Sequence, residues 1–483
     1  MTDTAHSGDA ERTSTPAATP PSLVEFMSGG WATLPAATKS PVAAAPFHAA
    51  RRRTVAARFP GEWLVIPTGP LKVRANDTDY RFRAGTDFAW LSGFHEPDAV
   101  LVIGPEGQTL YARPRSDRSS PAFFTDRRYG ELWVGPQLGL DDVRTLLAID
   151  TEPLDELEGA LKRAEKQPMR VRRGFDPRIE TMVDAIVGGA APDEERAERD
   201  EELAGVLSEL RLIKDEHEID CLQRAVDATI VAFTDVVRAL PEATKKSERW
   251  VEGTFNRRAR TEGNDVGYDT IAASGEHACT LHWVRNDGHV RKGDLLLLDA
   301  GVEGAELYTA DVTRTLPVSG RFKPAQREVY ELVWRAQKAA LAECRPGQPF
   351  LAPHQAAMRV MTEWLVERHI LETTVEEALD AEHKFHTRYT LHGTSHMLGL
   401  DVHDCADTRN DYRDDILAPG MVLTVEPGCY FQPDDLTVPA RYRGIGVRIE
   451  DDVVITEKGH RVLSKALPSR ADKVEAWMAK LLG

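Results

Sequence analysis

Leu295-Leu296-Leu297-Leu298-Asp299-Ala300-Gly301, with Asp311-Val312-Thr313-Arg314-Thr315 shortly after it, is the stretch whose reading decides the fold. Four leucines bounded by Gly293 and Gly301 predict a short buried strand, because a helix of that composition runs longer and carries a 3.6-residue period. The strand ends on a carboxylate. An ionised aspartate at the tip of a buried strand is costly to desolvate unless positive charge meets it, and no lysine or arginine stands beside Asp299 in the sequence. A metal ion would meet that need.

The design recurs. Gly420-Met421-Val422-Leu423-Thr424-Val425-Glu426-Pro427-Gly428 has the same glycine, apolar strand, acid and second glycine as Gly293 to Gly301. Two structurally related halves are therefore expected, each giving a strand-end acid and a later one, Asp311 and Glu450. In Gly444-Ile445-Gly446-Val447-Arg448-Ile449-Glu450-Asp451-Asp452, two-residue alternation puts Arg448 and Glu450 on one face. Between these strands lies the densest histidine cluster of the chain, with His392, His396 and His403 in a glycine-punctuated segment.

At 483 residues the chain exceeds a comfortable single core, so two domains are expected. A formal charge of −17 argues against a nucleic-acid partner, which needs clustered cations. Five cysteines without CxxC spacing suit free thiols in a reducing compartment. No apolar run is long enough to cross a bilayer, and the start of the chain has neither the basic end nor the apolar core of a signal peptide, so a soluble cytoplasmic protein without a membrane partner is expected. Residues 1–45, rich in Thr, Pro, Ala, Ser and Gly, read as a disordered tail.

From residue 46 to 197 the pattern is α/β. A helix is predicted over His48–Arg58 and strands over Trp63–Pro67 and Ala99–Gly104, with Asn76–Tyr80 and Asp87–Phe94 as an aromatic-rich connection. The charge-dense stretch from Ala190 to Glu202 reads as a linker entering a solvated helix face, so the second domain is placed at 198–483. It opens with a long amphipathic helix broken near Lys214 to Glu216. Further helices are predicted at Pro324–Glu343 and Pro353–Arg368, each with proline at its start.

Taken singly, Asp299 or Asp311 could cap a helix, Glu450 could pair with Arg448, and any one histidine could be a satisfied core residue. Jointly, Asp299, Asp311, Glu426 and Glu450 with one neutral imidazole carry a charge of about −4, which two divalent cations neutralise. Such oxygen-rich ligation suits Mn²⁺, Mg²⁺, Co²⁺ or Fe²⁺ better than a thiolate zinc site, although Zn²⁺ stays a candidate. His392 is followed by Gly393, so the zincin HExxH motif is absent. Two such ions would acidify bound water and polarise a carbonyl, which is metal-assisted hydrolysis.

The segments holding Asp299, Asp311, His392 to Asp404, Glu426, and Arg443 to Asp451 closely resemble those of the aminopeptidase P (Xaa-Pro aminopeptidase) family of pita-bread metallopeptidases. Arg83-Ala84-Gly85-Thr86-Asp87-Phe88-Ala89-Trp90-Leu91-Ser92-Gly93-Phe94-His95-Glu96-Pro97 is similar to part of that family's N-terminal domain, so the likeness runs from about Ala50 to the C-terminus. The resemblance implies an α/β N-terminal domain, used in oligomerisation and site capping, followed by an α+β pita-bread (creatinase/aminopeptidase-type) catalytic domain. It further implies that Asp299, Asp311, His396, Glu426 and Glu450 bind two metal ions, usually Mn²⁺. His282, His392 and His403 would line the site, Glu426 would take the proton of the attacking water, and Arg448 would steady the neighbouring carboxylates. Arg413 would touch substrate, while Asp77 and Trp133 would reach a neighbouring subunit's site in a homodimer or homotetramer. The implied substrates are peptides with proline at position two.

An Xaa-Pro bond needs a dedicated pocket because proline offers no N–H to grip. Prolidase, limited to dipeptides, is the nearest alternative; methionine aminopeptidase usually lacks so large an N-terminal domain, and a non-catalytic pita-bread binding protein would typically have lost ligands. Eleven residues separate Asp299 from Asp311, one more than the family pattern, so a bulge is expected between Val302 and Ala310, with Glu303 or Glu306 as the only nearby substitutes should Asp311 leave the site.

Overall fold

Leu295–Ala300 is a strand buried along its whole length, at the centre of a three-stranded antiparallel sheet between Ile271–Ser274 and Val312–Pro317. Alternation sorts its side chains: Leu296 and Leu298 join the main core, whereas Leu297 packs with Ile271, Ala273 and Tyr430 on the other face. Asp299 shares the parity of Leu297. The ladder with Val312–Pro317 runs from Leu295 opposite Pro317 to Ala300 opposite Val312 without a slip. The bulge expected between Val302 and Ala310 is absent, since Glu303 bridges Thr309 in the same register and Ala310 N–H donates to Val302 O at 3.1 Å; the turn is closed by Gly304 N–H donating to Tyr308 O at 2.8 Å, with Leu307 at φ 67°.

A second three-stranded antiparallel sheet is built from Val422–Val425, Asp451–Thr456 and Gly459–Val462, and a ribbon pairs Gly428–Phe431 with Ile445–Arg448. The two sheets place their acids alike. Asp299 sits near the end of one strand and Asp311 just before its neighbour; Glu426 follows one strand and Glu450 precedes the strand beside it. One apolar core joins both sheets to the helices, with Phe233, Val236, Phe255, Leu296 and Leu298 in the same cluster as Val333, Ala336, Leu423, Val425, Val453 and Ile455.

This computed structural model describes residues 19–32, 40–188 and 194–483. It divides into two units between Leu207 and Ser208. The helices Glu194–Arg211 and Glu216–Ala243 flank the predicted break, which has a local cause: Asp215 accepts from Glu218 N–H at 3.0 Å, and Glu218 accepts from Asp215 N–H at 3.0 Å. Helices Pro324–Glu343 and Ala352–Glu367 fall where their proline starts place them.

In the N-terminal unit a mixed five-stranded sheet takes the order 150–153, 107–112, 100–104, 63–67, 169–171. The predicted aromatic connection is more ordered than expected, since Thr86–Ser92 is a fully buried helix whose Asp87 pairs with Arg172 at 2.6 Å. Part of the predicted disordered tail is also structured. Pro21–Ser28 is helical, and Trp31 packs edge-on against Phe123 at 5.3 Å; residues 1–18 and 33–39 of that tail lie outside the described residues. The linker reading from 190 is replaced by helix from Glu194 onward, residues 189–193 being outside the described set. Its acids are not simply solvated: Asp200 pairs with Arg173 at 2.6 Å and Glu202 with Arg170 at 2.7 Å, which ties the helix's first turns to the N-terminal unit and moves the boundary past 198. Among the described residues no helix is long and apolar enough to cross a membrane.

Candidate metal centre

The strand ends bring their acids to one place. Donor atoms of Asp311, His396 and Glu450 all lie within 4.8 Å of one another. His396 Nε2 is 3.4 Å from both Asp311 Oδ2 and Glu426 Oε1, which adds Glu426, and the Tyr268 hydroxyl stands 2.6 Å from Asp299 Oδ1 and 2.5 Å from Asp311 Oδ1, which adds Asp299. Glu303 and Glu306, the substitutes considered for Asp311, are engaged elsewhere, with Asn264 and Arg224 respectively.

His396 is oriented for ligation. Its Nδ1 faces Met397 O at 3.0 Å, so the proton of a neutral ring sits there and the Nε2 lone pair points at the acids. That lone pair among carboxylates needs either a proton or a cation. Burial lowers His396's affinity for a proton, but Asp311 and Glu426 outweigh it and raise its pKa to about 9. Burial, reinforced by Asp311, Glu426 and Asp299, pushes Glu450 well above the usual carboxylate range, and burial with Asp299 and Glu426 raises Asp311. Without added positive charge, burial and mutual repulsion favour protons on this cluster. Four hard oxygens and one imidazole, so placed, fit divalent cations.

The surroundings fix these donors. Arg448 Nη2 donates to Asp299 Oδ2 at 2.6 Å and its Nη1 to the Tyr430 hydroxyl at 2.8 Å, which also lies 2.8 Å from His392 Nε2. Thr313 donates to Glu450 Oε2 at 2.6 Å, Asp452 Oδ2 accepts from Asp311 N–H at 3.1 Å, and the buried Arg314 guanidinium donates to Glu450 O and Asp451. Burial opposes ionisation of Glu426, yet His392 at 3.4 Å from its Oε2, together with His396 and Arg448, holds it below the ordinary range.

The other expected residues fall into groups. His403 is exposed, with its ring perpendicular to that of His396 at 4.5 Å. His282 is exposed on a loop clamped by the fully buried Glu248, which accepts from Ser274 N–H, His277 Nδ1, Trp283 Nε1 and Gly288 N–H at 2.7 to 2.9 Å. Arg413 shares a cleft of about 750 Å³ with His392. Asp77 and Trp133 belong to the N-terminal unit, where Arg127 links them: its guanidinium is 3.6 Å from Asp77 and 5.3 Å from the centre of the Trp133 ring. Tyr268, Tyr430, Thr313, Asp452 and Glu248 were not singled out from the sequence. Thr313 lay within the quoted Asp311–Thr315 motif and Tyr430 two residues past Gly428, but Tyr268 and Glu248 carry no local signal.

Acids on paired strand tips, an imidazole with its lone pair turned inward and a fixed arginine define a metallopeptidase-type centre. The model of metallopeptidase family M24 matches residues 220–457, and that of the aminopeptidase P N-terminal domain matches residues 48–171. Xaa-Pro aminopeptidase 1 of Streptomyces coelicolor is 54% identical over 466 residues, covering 95% of this chain and 92% of the relative; the Escherichia coli Xaa-Pro aminopeptidase is 35% identical, covering 89% and 97%. Among solved structures, zinc-substituted E. coli aminopeptidase P in complex with product superposes with a TM-score of 0.80 at 34% identity, covering 92% of this chain and 100% of that one. The chain belongs to the aminopeptidase P family of M24 metallopeptidases.

Proposed function

We propose that this protein is an Xaa-Pro aminopeptidase, which hydrolyses the bond between the first residue of a peptide and a proline in second position. The observation that carries the reading is the convergence of Asp311, His396 and Glu450 within 4.8 Å, on a chain whose relatives over nearly its full length are named Xaa-Pro aminopeptidases. Asp299, Asp311, His396, Glu426 and Glu450 would hold two divalent ions, Mn²⁺ being the first choice and Co²⁺, Fe²⁺ or Zn²⁺ the others. When bound, such ions lower the pKa of water and polarise the scissile carbonyl.

The chain's own groups do the rest. Glu426, kept ionised, accepts the proton of the attacking water at Oε2, the atom beside His392. His392, held between the Tyr430 hydroxyl and Gly393 O, lines the site, and the exposed His403 and His282 present imidazoles that donate to the oxygen on which charge develops. Arg448 keeps Asp299 aimed by donating to its Oδ2. Arg413 contacts the peptide further along the cleft. Asp77 and Trp133, joined through Arg127, reach the site of a neighbouring subunit in a homodimer or homotetramer. Five buried free cysteines fit a cytoplasmic setting.

The test compares Xaa-Pro-Yaa tripeptides with Xaa-Pro dipeptides, using chelated protein and protein resupplied with Mn²⁺. Release of the first residue from the tripeptide, restored by manganese, is expected. Activity confined to the dipeptide would make the protein a prolidase.

A further inference from the structure

A second cleft, of about 890 Å³, is lined by the helix Pro324–Glu343, the strand Gly459–Val462 and residues 465–473, and its size suits a small-molecule ligand. None of its lining residues is a candidate metal ligand or peptide contact. Its charge is the reverse of the chain's. The chain has 77 acids against 60 bases, yet this wall holds five permanent cations, Lys338, Arg461, Lys465, Arg470 and Lys473, and one acid, Asp451.

That acid is already neutralised. Asp451 is buried, with Arg314 and Ser464 each donating to Oδ1 at 2.6 Å and Gln337 Nε2 donating to Oδ2 at 2.9 Å. Of the cations, Arg470 pairs with Asp472 at 2.5 Å, whereas Arg461 donates at 3.0 Å to the Gln223 Oε1, a neutral partner. Among the described residues, Lys338, Arg461, Lys465 and Lys473 have no acidic partner within ion-pair distance. Like charges around one concavity raise one another's energy, and an anion entering it relieves that cost. Four such cations exceed what a single carboxylate answers. A phosphate chain suits them, since each phosphate adds both charge and acceptor oxygens.

The rest of the wall is apolar, with Leu341, Val462, Leu467 and Pro468 beside Trp334. Charged and aromatic parts adjoin, because Lys338 Nζ lies 5.8 Å from the centre of the Trp334 ring. The Trp334 Nε1–H is buried without an acceptor among the described residues, where a buried indole usually has one. A flat heterocycle with acceptor atoms at one end and a phosphate chain at the other matches both halves of the wall. We propose that this cleft binds a nucleoside triphosphate, its phosphates on Lys338, Arg461, Lys465 and Lys473 and its base against Trp334.

The test is titration calorimetry on the manganese-loaded full chain, with Mg²⁺ in excess so that the nucleotide does not draw manganese from the enzyme. The probes are ATP, inorganic triphosphate and adenosine. ATP is expected to bind one per chain, and triphosphate about tenfold more weakly, the scale of one base stacked on an aromatic ring. Adenosine, lacking the phosphates, should give no measurable heat. The double variant K465E/K473E should weaken ATP about tenfold or more, and K465R/K473R should keep the parent affinity, both with the parent's far-UV circular dichroism. Absence of ATP binding to the wild type at about 1 mM, or an unchanged ATP affinity in K465E/K473E, would overturn the inference. Triphosphate binding as tightly as ATP would overturn the nucleotide assignment, because the base would then contribute nothing.

Discussion

Arg448 and Asp299 form a buried pair, with Nη2 donating to Oδ2 at 2.6 Å, and the same guanidinium reaches the Tyr430 hydroxyl that orients His392. One cation thus steadies both a metal-ligand candidate and a catalytic imidazole candidate. Removing it leaves Asp299 uncompensated in a cluster already too negative, and losing one partner of a buried pair costs about 3–5 kcal/mol. Arg448→Ala should therefore lower the thermal midpoint of the metal-free protein and weaken Mn²⁺ binding about 10–100-fold by calorimetry. Unchanged manganese affinity would show that Arg448 does not hold the ligand.

Tyr268 bridges Asp299 and Asp311 with a single hydroxyl. Burial and the surrounding Asp299, Asp311 and Glu450 charges raise its pKa well above the ordinary value, so it remains a donor at neutral pH. Tyr268→Phe keeps the ring and deletes the bridge. Manganese affinity is expected to fall about tenfold while far-UV circular dichroism stays that of the parent; wild-type affinity would mean that the two aspartates are positioned by their strands alone.

These two residues mark how far the sequence could be read. Asp299 was legible because four leucines force a buried strand and a buried strand makes its terminal acid costly. Tyr268 was not, since a lone tyrosine has no period and its partners lie 31 and 43 residues away. The domain boundary was misplaced for a related reason. Asp200 and Glu202 look like a solvated face until the fold brings Arg173 and Arg170 to them. Local pattern carries burial, and burial carried the site; which polar groups neutralise one another is decided by tertiary contacts.

Glu248 clamps the loop that carries His282 by accepting from four donors, two of them the N–H groups of Ser274 and Gly288 at the loop's ends. In Glu248→Gln an amide NH₂ must face donors, which loses at least one buried hydrogen bond at about 1–3 kcal/mol. A His282 displaced by the relaxed loop should cost about 100-fold in kcat. The readout is kcat beside the Mn²⁺ affinity: a fall in kcat with metal affinity unchanged is expected, and a fall in both together would place the fault in general unfolding.

Lys214 and Asp404 form a second buried pair, 2.9 Å apart. Burial would raise the Asp404 carboxyl, but Lys214 and Arg211 outweigh it and hold it well below the ordinary 3.8. A carboxylate depressed in the folded state favours folding above its unfolded pKa, and that contribution drains away as pH falls through the folded value. Lys214 is raised above 10.5 despite burial because Asp404 and its neighbours favour its charge, so its share is present below that pH and is lost on further rise. Between these limits the pair is intact. Asp404→Asn should cost about 3–5 kcal/mol at pH 7 by leaving Lys214 charged without its carboxylate, and should flatten the decline in thermal midpoint between about pH 5 and about pH 2. Lys214→Met combined with Asp404→Asn should recover part of the loss, because the stranded charge is gone. An acid limb of unchanged slope in Asp404→Asn would show that other carboxylates govern the acid sensitivity of this fold.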